Sequence, residues 1–288
     1  MSGIWFDQSC VFEEIGEVVF FSLCIPQRCL NFVWGPGEKR RDRFARGRQG
    51  EMNNDQKHQT TLEVAAAIAV VKALISDGGL TVRESSDFGL FEKTIRKTED
   101  KYLMEDFSPR FFDLHGSTAF WIGAYDNRGN VVSFQAAKVE DLQDRSLAEH
   151  WQQQQRRIFV DPNPQARFGN EHAHDAYFLR GKIVYHGNLW LRRDVRGKGL
   201  AEPLTQLGFL VALLKWSPDY LYGLMAATAA EKGFGIRVGY RRFVPRGTHW
   251  EMPPGHIRPD DWLVYSTRSD LIGLARTIAA TGGAADPE

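Results

Sequence analysis

The sequence predicts a mixed α/β (α+β) domain, a mixed sheet flanked by helices, over residues 52–280. Three observations carry this. Val64, Ala67, Ile68, Val71, Leu74 and Ile75 form an apolar stripe at helical spacing. Two runs rich in β-branched and aromatic residues flank Asn127-Arg128-Gly129-Asn130, the pattern of a hairpin. An apolar strand at Lys182–Leu191 leads through a glycine loop into a long apolar helix and a further strand at Asp219–Ala226. Strands and helices alternate there, but strands also follow one another elsewhere, so a regular doubly wound sheet is excluded.

Each element has a local reason. Thr60 and Glu63 have the spacing of a capping box, and Asp77-Gly78-Gly79 stops the first helix. A short strand at 80–83 follows. A second helix then starts from Ser86 as cap, with Phe88, Phe91, Ile95 and Tyr102 on one face. The hairpin occupies 118–139, and residues 140–180 read as a helix followed by an irregular excursion. The helix after the glycine loop carries Leu200, Leu204, Leu207, Val211 and Leu214 in register. Its second half is apolar all round, which predicts deep burial. Ser217-Pro218 ends it. A glycine-interrupted helix, two strands ("YRRFVP" and "DWLVYSTR") and a last helix ("LIGLARTIAA") complete the domain.

Residues 1–51 have no clean period and contain an Arg-rich segment as well as all three cysteines, Cys10, Cys24 and Cys29. They are expected to be an accessory or mis-assigned extension, for which poor order is one expectation. A basic arm that binds nucleic acid is the rival reading, disfavoured because Glu38, Asp42 and Glu51 dilute its charge. Residues 281–288 are expected to be a disordered tail.

Lys+Arg and Asp+Glu are equal at 36 each, so there is no global field to attract nucleic acid or an acidic membrane. No stretch reaches the roughly 18 apolar residues of a membrane helix. The acidic flank before Val18–Ile25 does not suit a secretory signal. A cysteine-free body suits a reducing cytoplasm, the expected location.

Chemistry concentrates in the loop "RRDVRGKGLAEPL", Arg192 to Leu204. A strand, a glycine turn and a helix start leave N–H groups without intrahelical partners, where an anion fits. Gly197 and Gly199 let backbone approach oxygens, and Arg196 and Lys198 add charge. The residues do not match a Walker loop, which needs G-x-x-x-x-G-K-[ST]. They also miss the dinucleotide fingerprint, because Leu-Ala-Glu follows Gly199.

The pattern R-x-x-G-x-A, from Arg196 through Gly199 to Ala201, resembles the pyrophosphate loop of the GNAT superfamily of N-acetyltransferases. Its setting between strand and apolar helix, and the later Gly239-Tyr240 turn, resemble that superfamily too. The likeness spans roughly residues 80–270 and is tightest at 183–244. It implies two central parallel strands that splay apart, and acetyl-CoA as donor substrate with no metal. Backbone of Leu189, Trp190 and Leu191 would pair with the pantetheine arm. The N–H groups of Arg196, Gly197, Lys198, Gly199, Leu200 and Ala201 would hold the pyrophosphate. The partner would be an amine acceptor that attacks the thioester directly, and the protein a monomer or homodimer.

Acid and base are less plain. His186, Asn188 and Trp190 alternate onto one strand face, which makes His186 a candidate base. Many members of the superfamily place a tyrosine, acid for the leaving thiolate, four residues before the glycine of the closing turn. That position here is Gly235. Tyr222 is the candidate substitute, solvent another. The departure keeps an alternative in view, a module that binds acyl-CoA without turnover. "HAHD" at His172–Asp175 lacks further ligands at metal spacing and is read as lining the acceptor pocket, with no metal. The loop Pro245–Asp261 is a second candidate wall of that pocket.

Overall fold

The computed structural model describes residues 54–98, 101 and 103–282, together with two short strands near the N-terminus. The chain divides into two compact units, Met1–Met52 and Asn53–Glu288. In the first, β1 (Cys24–Ile25) pairs antiparallel with β2 (Arg28–Cys29). The Arg-rich segment and the last six positions lie outside the described residues.

In the second unit, α1 (Asn54–Asp77) leads to β3 (Thr81–Ser85), α2 (Phe88–Arg96), β4 (Ala119–Tyr125) and β5 (Val131–Asp141). Helix α3 (Leu147–Gln155) continues as a π-helical turn at Arg156–Val160, followed by β6 (Arg167–Phe168) and β7 (Lys182–Leu191). Then come α4 (Ala201–Trp216), β8 (Tyr220–Met225), α5 (Ala227–Glu231) and α6 (Phe234–Val238). The unit ends with β9 (Arg242–Val244), β10 (Trp250–Met252), β11 (Trp262–Thr267) and α7 (Arg268–Gly282). Seven strands form one sheet in the order β3-β4-β5-β7-β8-β11-β9. Every neighbouring pair is antiparallel except β7 and β8. Strands β6 and β10 pair separately. The mixed sheet flanked by helices is therefore present as expected.

The two faces of the sheet are packed differently. Helices α1, α4 and α7 cover one face with mainly aliphatic side chains, among them Val64, Val71, Ile75, Leu204, Leu207, Leu271 and Leu274. The opposite face is aromatic: Phe88, Phe91, Phe107, Trp121, Phe134, Trp151, Tyr185 and Tyr222 join one cluster. In α4, every residue from Pro203 to Leu210 is buried, while Leu214 is 45% exposed, so the deep burial expected of its second half falls mainly on its first half, where the helix lies against the sheet. Burying apolar area at ~25 cal/mol per Å² makes this helix the hydrophobic hub of the unit.

Several local expectations are corrected. Helix α1 starts at Asn54, so Thr60 and Glu63 lie inside it and are not its cap. Leu74 is 52% exposed and does not join the buried stripe. Asp87, not Ser86, caps α2 by accepting the Leu90 N–H at 2.8 Å. That helix ends at Arg96, short of Tyr102. Residues 281 and 282, expected in the tail, belong to α7, which runs through Gly282. By length and composition, α1 between His58 and Asp77 is apolar enough to cross a membrane. This corrects the expectation that no stretch qualifies. Alanines on its outer face raise the average, while Val64, Ala67, Val71 and Ile75 pack into the core.

Candidate functional site

The parallel pairing of β7 and β8 is short. Ile183, Val184 and Tyr185 pair with Tyr220, Leu221 and Tyr222, and there the ladder stops. Strand β7 runs on to Leu191 and β8 to Met225, so the two strands part in mid-sheet. A bulge helps turn β7 away. Phe134 and Ala136 of β5 face Trp190 and Gly187, so β7 holds one residue more than its partner here. Asn188 takes the strain with φ +50°, in the left-handed region that Asn tolerates better than most residues.

Two cavities open on either side of the parting. One, of about 560 Å³, is lined by Leu189–Leu191, Arg196, Gly197 and Ala201 together with α5–α6 residues. The other, of about 570 Å³, is lined by Tyr185–Leu189, Gly223–Ala226 and residues from 101 to 106 and 248 to 264. Leu189, Thr205, Ala229 and Phe234 line both.

The first cavity is suited to a polyanion on an apolar arm. Gly197 and Gly199 have φ of +77° and +75°, and a Cβ on either would meet open space. Their need is conformational, not steric. No side chain caps α4 at Leu200, so its first N–H groups face outward with the positive end of the helix dipole. Arg192 bridges Asp194 at 2.7 Å and Asp126 at 3.1 Å, which ties the loop to the hairpin. Lys232 and Arg237 add two cations from across the cavity. Sequence reading missed them; their signal was the basic, glycine-broken segment after β8. Of the expected loop residues, Lys198, Gly199 and Leu200 are not among the lining. Leu200 instead turns into the core, where a Cβ on Gly78 would lie 2.5 Å from it.

The second cavity is polar at its outer end. Asp261 lines it with Oδ1 buried and without a hydrogen-bond partner. Burial, aided by neighbouring Asp260, pushes its carboxyl up to about 6, against the opposing pull of Arg258 and Lys101. Burial lowers the ammonium of Lys101, while Asp261 works to raise it. His256 contacts Glu105 at 2.9 Å on the same rim. Deeper in, Asp106 sits 3.5 Å from the buried Lys138, which also meets Glu140 at 3.0 Å and lies 3.7 Å over the Phe112 ring. Burial raises Asp106. In Glu140 burial is outweighed by the hydrogen bond from His150 and the charge of Lys138, which hold it at about 2. Nothing local marks Lys101 in the sequence; Asp261 ends the loop Pro245–Asp261 expected to wall the acceptor pocket, and Thr248, Trp250, His256, Ile257 and Arg258 of that loop line this cavity as well.

His186 and Tyr222 occupy opposite faces. Gln135 donates through Nε2 to the Leu204 carbonyl, so its Oε1 accepts from His186 Nε2 at 2.8 Å. His186 Nδ1 is then bare and accepts the Tyr240 hydroxyl at 3.2 Å. Both ring nitrogens are engaged, and burial lowers the imidazole to about 3. Gly208 makes room for this chain, because a Cβ there would lie 2.4 Å from Gln135 Oε1. Tyr222 packs with Tyr185 and Trp151 in the aromatic cluster, and burial raises its hydroxyl well above the usual range. It is not among the residues lining either cavity. The expected common face of His186 and Trp190 is broken by the bulge: His186 packs on Phe209 and Trp190 stacks on Phe134, on opposite sides of the sheet. A tyrosine at 235 has no room, since a Cβ on Gly235 would already lie 2.4 Å from the Phe243 ring. His172 and Asp175 lie away from both cavities. The His172 Nδ1 accepts the His249 N–H at 3.0 Å, and Asp175 accepts the Tyr265 hydroxyl at 2.8 Å.

No family model and no curated protein sequence matches the chain. Among solved structures it is similar to Arabidopsis thaliana NAA60 in complex with acetyl-CoA, at TM-score 0.41 and 14% identity, covering 65% of this chain and 99% of that one. It is similar to the spermidine/spermine N-acetyltransferase SpeG from Vibrio cholerae, at TM-score 0.39 and 11% identity, covering 69% and 99%. An acetyltransferase of the GNAT family from Staphylococcus aureus gives TM-score 0.38 and 12% identity, covering 66% and 99%.

Proposed function

We propose that the protein is an acyl-CoA-dependent N-acyltransferase that moves an acetyl group from acetyl-CoA to a primary amine by direct attack. The observation that carries this is the parting of β7 from β8 between two contiguous cavities, one built for a polyanion and the other holding a buried, unpaired carboxyl. The donor supplies an activated carbonyl: a C–N bond forms, the C–S bond breaks, and the electron pair leaves with sulfur.

The glycine loop and the α4 N-terminus hold the pyrophosphate, with Arg196, Lys232 and Arg237 opposite the charge. Backbone of Leu189–Leu191 lies along the same cavity for the pantetheine arm. Asp261 accepts a proton from the acceptor nitrogen as the C–N bond forms and makes that nitrogen far more acidic than a free ammonium. A carboxyl at about 6 is ionised at neutral pH and so is ready to receive that proton. His186 is not the base in this reading, because its tautomer is fixed by two partners. It holds the Tyr240 hydroxyl beside Gly223, whose Cβ position is 2.7 Å away. No tyrosine acid is required. A thiol ionises near ~8.5 and a phenol near ~10, so transfer from a buried tyrosine to the thiolate runs uphill. The thiolate leaves as such and takes the second amine proton through solvent.

The test mixes the protein with acetyl-CoA and a panel of primary amines and follows free thiol. Turnover with at least one amine, and its loss in Asp261→Asn, is expected. Saturable acetyl-CoA binding with no turnover on any amine would leave a sensor module. Absence of acetyl-CoA binding would remove both readings.

A further inference from the structure

Asn188 is 4% exposed, sits at the bulge where β7 leaves β8, and lines the cavity on the acceptor side. Its Oδ1 accepts the Met104 N–H at 3.2 Å. That contact fixes which end of the amide is the acceptor and leaves Nδ2 as the donor still to be paired. Nδ2 is buried with no hydrogen-bond partner. An orphaned amide donor is costly to keep buried, so its retention beside a polar cavity points to a ligand oxygen. Leu189, the next residue, lines both cavities, which places this donor at their junction. Asn188 also carries a left-handed backbone, φ +50°, so strain and orphaned donor meet in one residue.

Resting on the acyltransferase reading, we infer that the Asn188 Nδ2 donates a hydrogen bond to the carbonyl oxygen of the acyl donor. The donor is pre-aimed by Met104 and needs no reorganisation as charge builds on that oxygen. The reacting bonds are those already given; Asn188 gives no proton and takes none.

Two variants separate this role from folding. Asn188→Asp keeps an acceptor for the Met104 N–H but loses the donor. Asn188→Gly keeps the left-handed backbone and loses the amide. The binding probes are acetyl-CoA and S-ethyl-coenzyme A, the thioether that lacks the carbonyl, both measured by calorimetry. The parent should bind acetyl-CoA about fivefold more tightly, the worth of one neutral hydrogen bond. Both variants should lose that preference while binding the thioether as the parent does. Their kcat should fall by about 10²-fold with the fold retained, as read by circular dichroism. A preference that persists in both variants overturns the inference and leaves the acyltransferase reading standing. A raised KM for the amine with an intact preference also overturns it, by assigning Asn188 to the acceptor. If neither probe binds the parent, the donor reading itself fails.

Discussion

The two cavities differ in how they are made. The donor cavity takes Leu189, Trp190, Leu191, Arg196, Gly197 and Ala201 from one short run, whose glycine, cation and helix start do their work locally. The rest of its wall comes from Ser133 on β5, from the next turn of α4, and from Lys232, Arg237 and their neighbours further along the chain. The acceptor cavity draws Lys101, Asp106, Asn188, Gly223 and Asp261 from segments spread over much of the domain. A site made from contiguous backbone can be recognised in sequence and tolerates a loose surround. A site made from distant side chains exists only if the whole sheet is in register.

That contrast sets the order of expected effects. The largest belongs to the base. Asp261→Asn should lower kcat/KM by about 10²–10⁴-fold while acetyl-CoA still binds. Its stability change should have the opposite sign. A carboxyl raised in the folded state favours its protonated form, so its ionisation opposes folding once pH rises through about 6. The asparagine variant should therefore melt no lower than the parent at pH 7, measured by calorimetry. In the parent, kcat/KM should fall about tenfold per pH unit below 6. A profile flat from pH 5 to 7 would remove Asp261 from the chemistry.

The donor side should break differently. Gly197→Glu places a carboxylate in the donor cavity, where the pyrophosphate charge is expected, and forces a side chain into φ +77°. Acetyl-CoA at about a hundred times Kd should stabilise the parent by ~2.7 kcal/mol, and this variant should lose that gain in thermal shift. The intrinsic cost to the fold should stay near ~1–2 kcal/mol, because no atom lies within 4 Å of the added Cβ. Retained binding would mean the loop is a corner and nothing more.

Gly208→Ala sharpens the same contrast from the core. An exposed helical Gly→Ala change gains ~1 kcal/mol. Here the added Cβ meets Gln135 and His186 at 2.4 and 3.3 Å. The variant should instead lose ~1–3 kcal/mol in urea titrations, as overpacked cores do. A gain would show that the Gln135–His186–Tyr240 chain is loosely held.

The smallest effect is a pH dependence of stability from His186. Its folded value near 3 lies below the ordinary ~6.5, so the unfolded chain takes up a proton that the folded one refuses. That contribution is complete above ~6.5 and is lost as pH falls toward 3. Between pH 7 and 5 it amounts to about 2 kcal/mol, and His186→Gln should reduce the dependence measured by urea midpoints.

The local chemistry of the chain was enough to specify the glycine turn, the helix that follows it and the hairpin. Each depends on neighbours in sequence: glycines at positive φ, an apolar helix surface, turn residues between β-branched runs. The tertiary structure alone decided the rest. The bulge at Asn188 is defined only against β5, and it sent His186 and Trp190 to opposite faces where simple alternation put them together. Tyr222 was drawn into the aromatic cluster because β8 pairs with β7 and β11 in one register. Asp261 became a candidate base because the closing of the sheet buries it among groups far away in sequence, and desolvation is a property of the folded volume rather than of any run of residues.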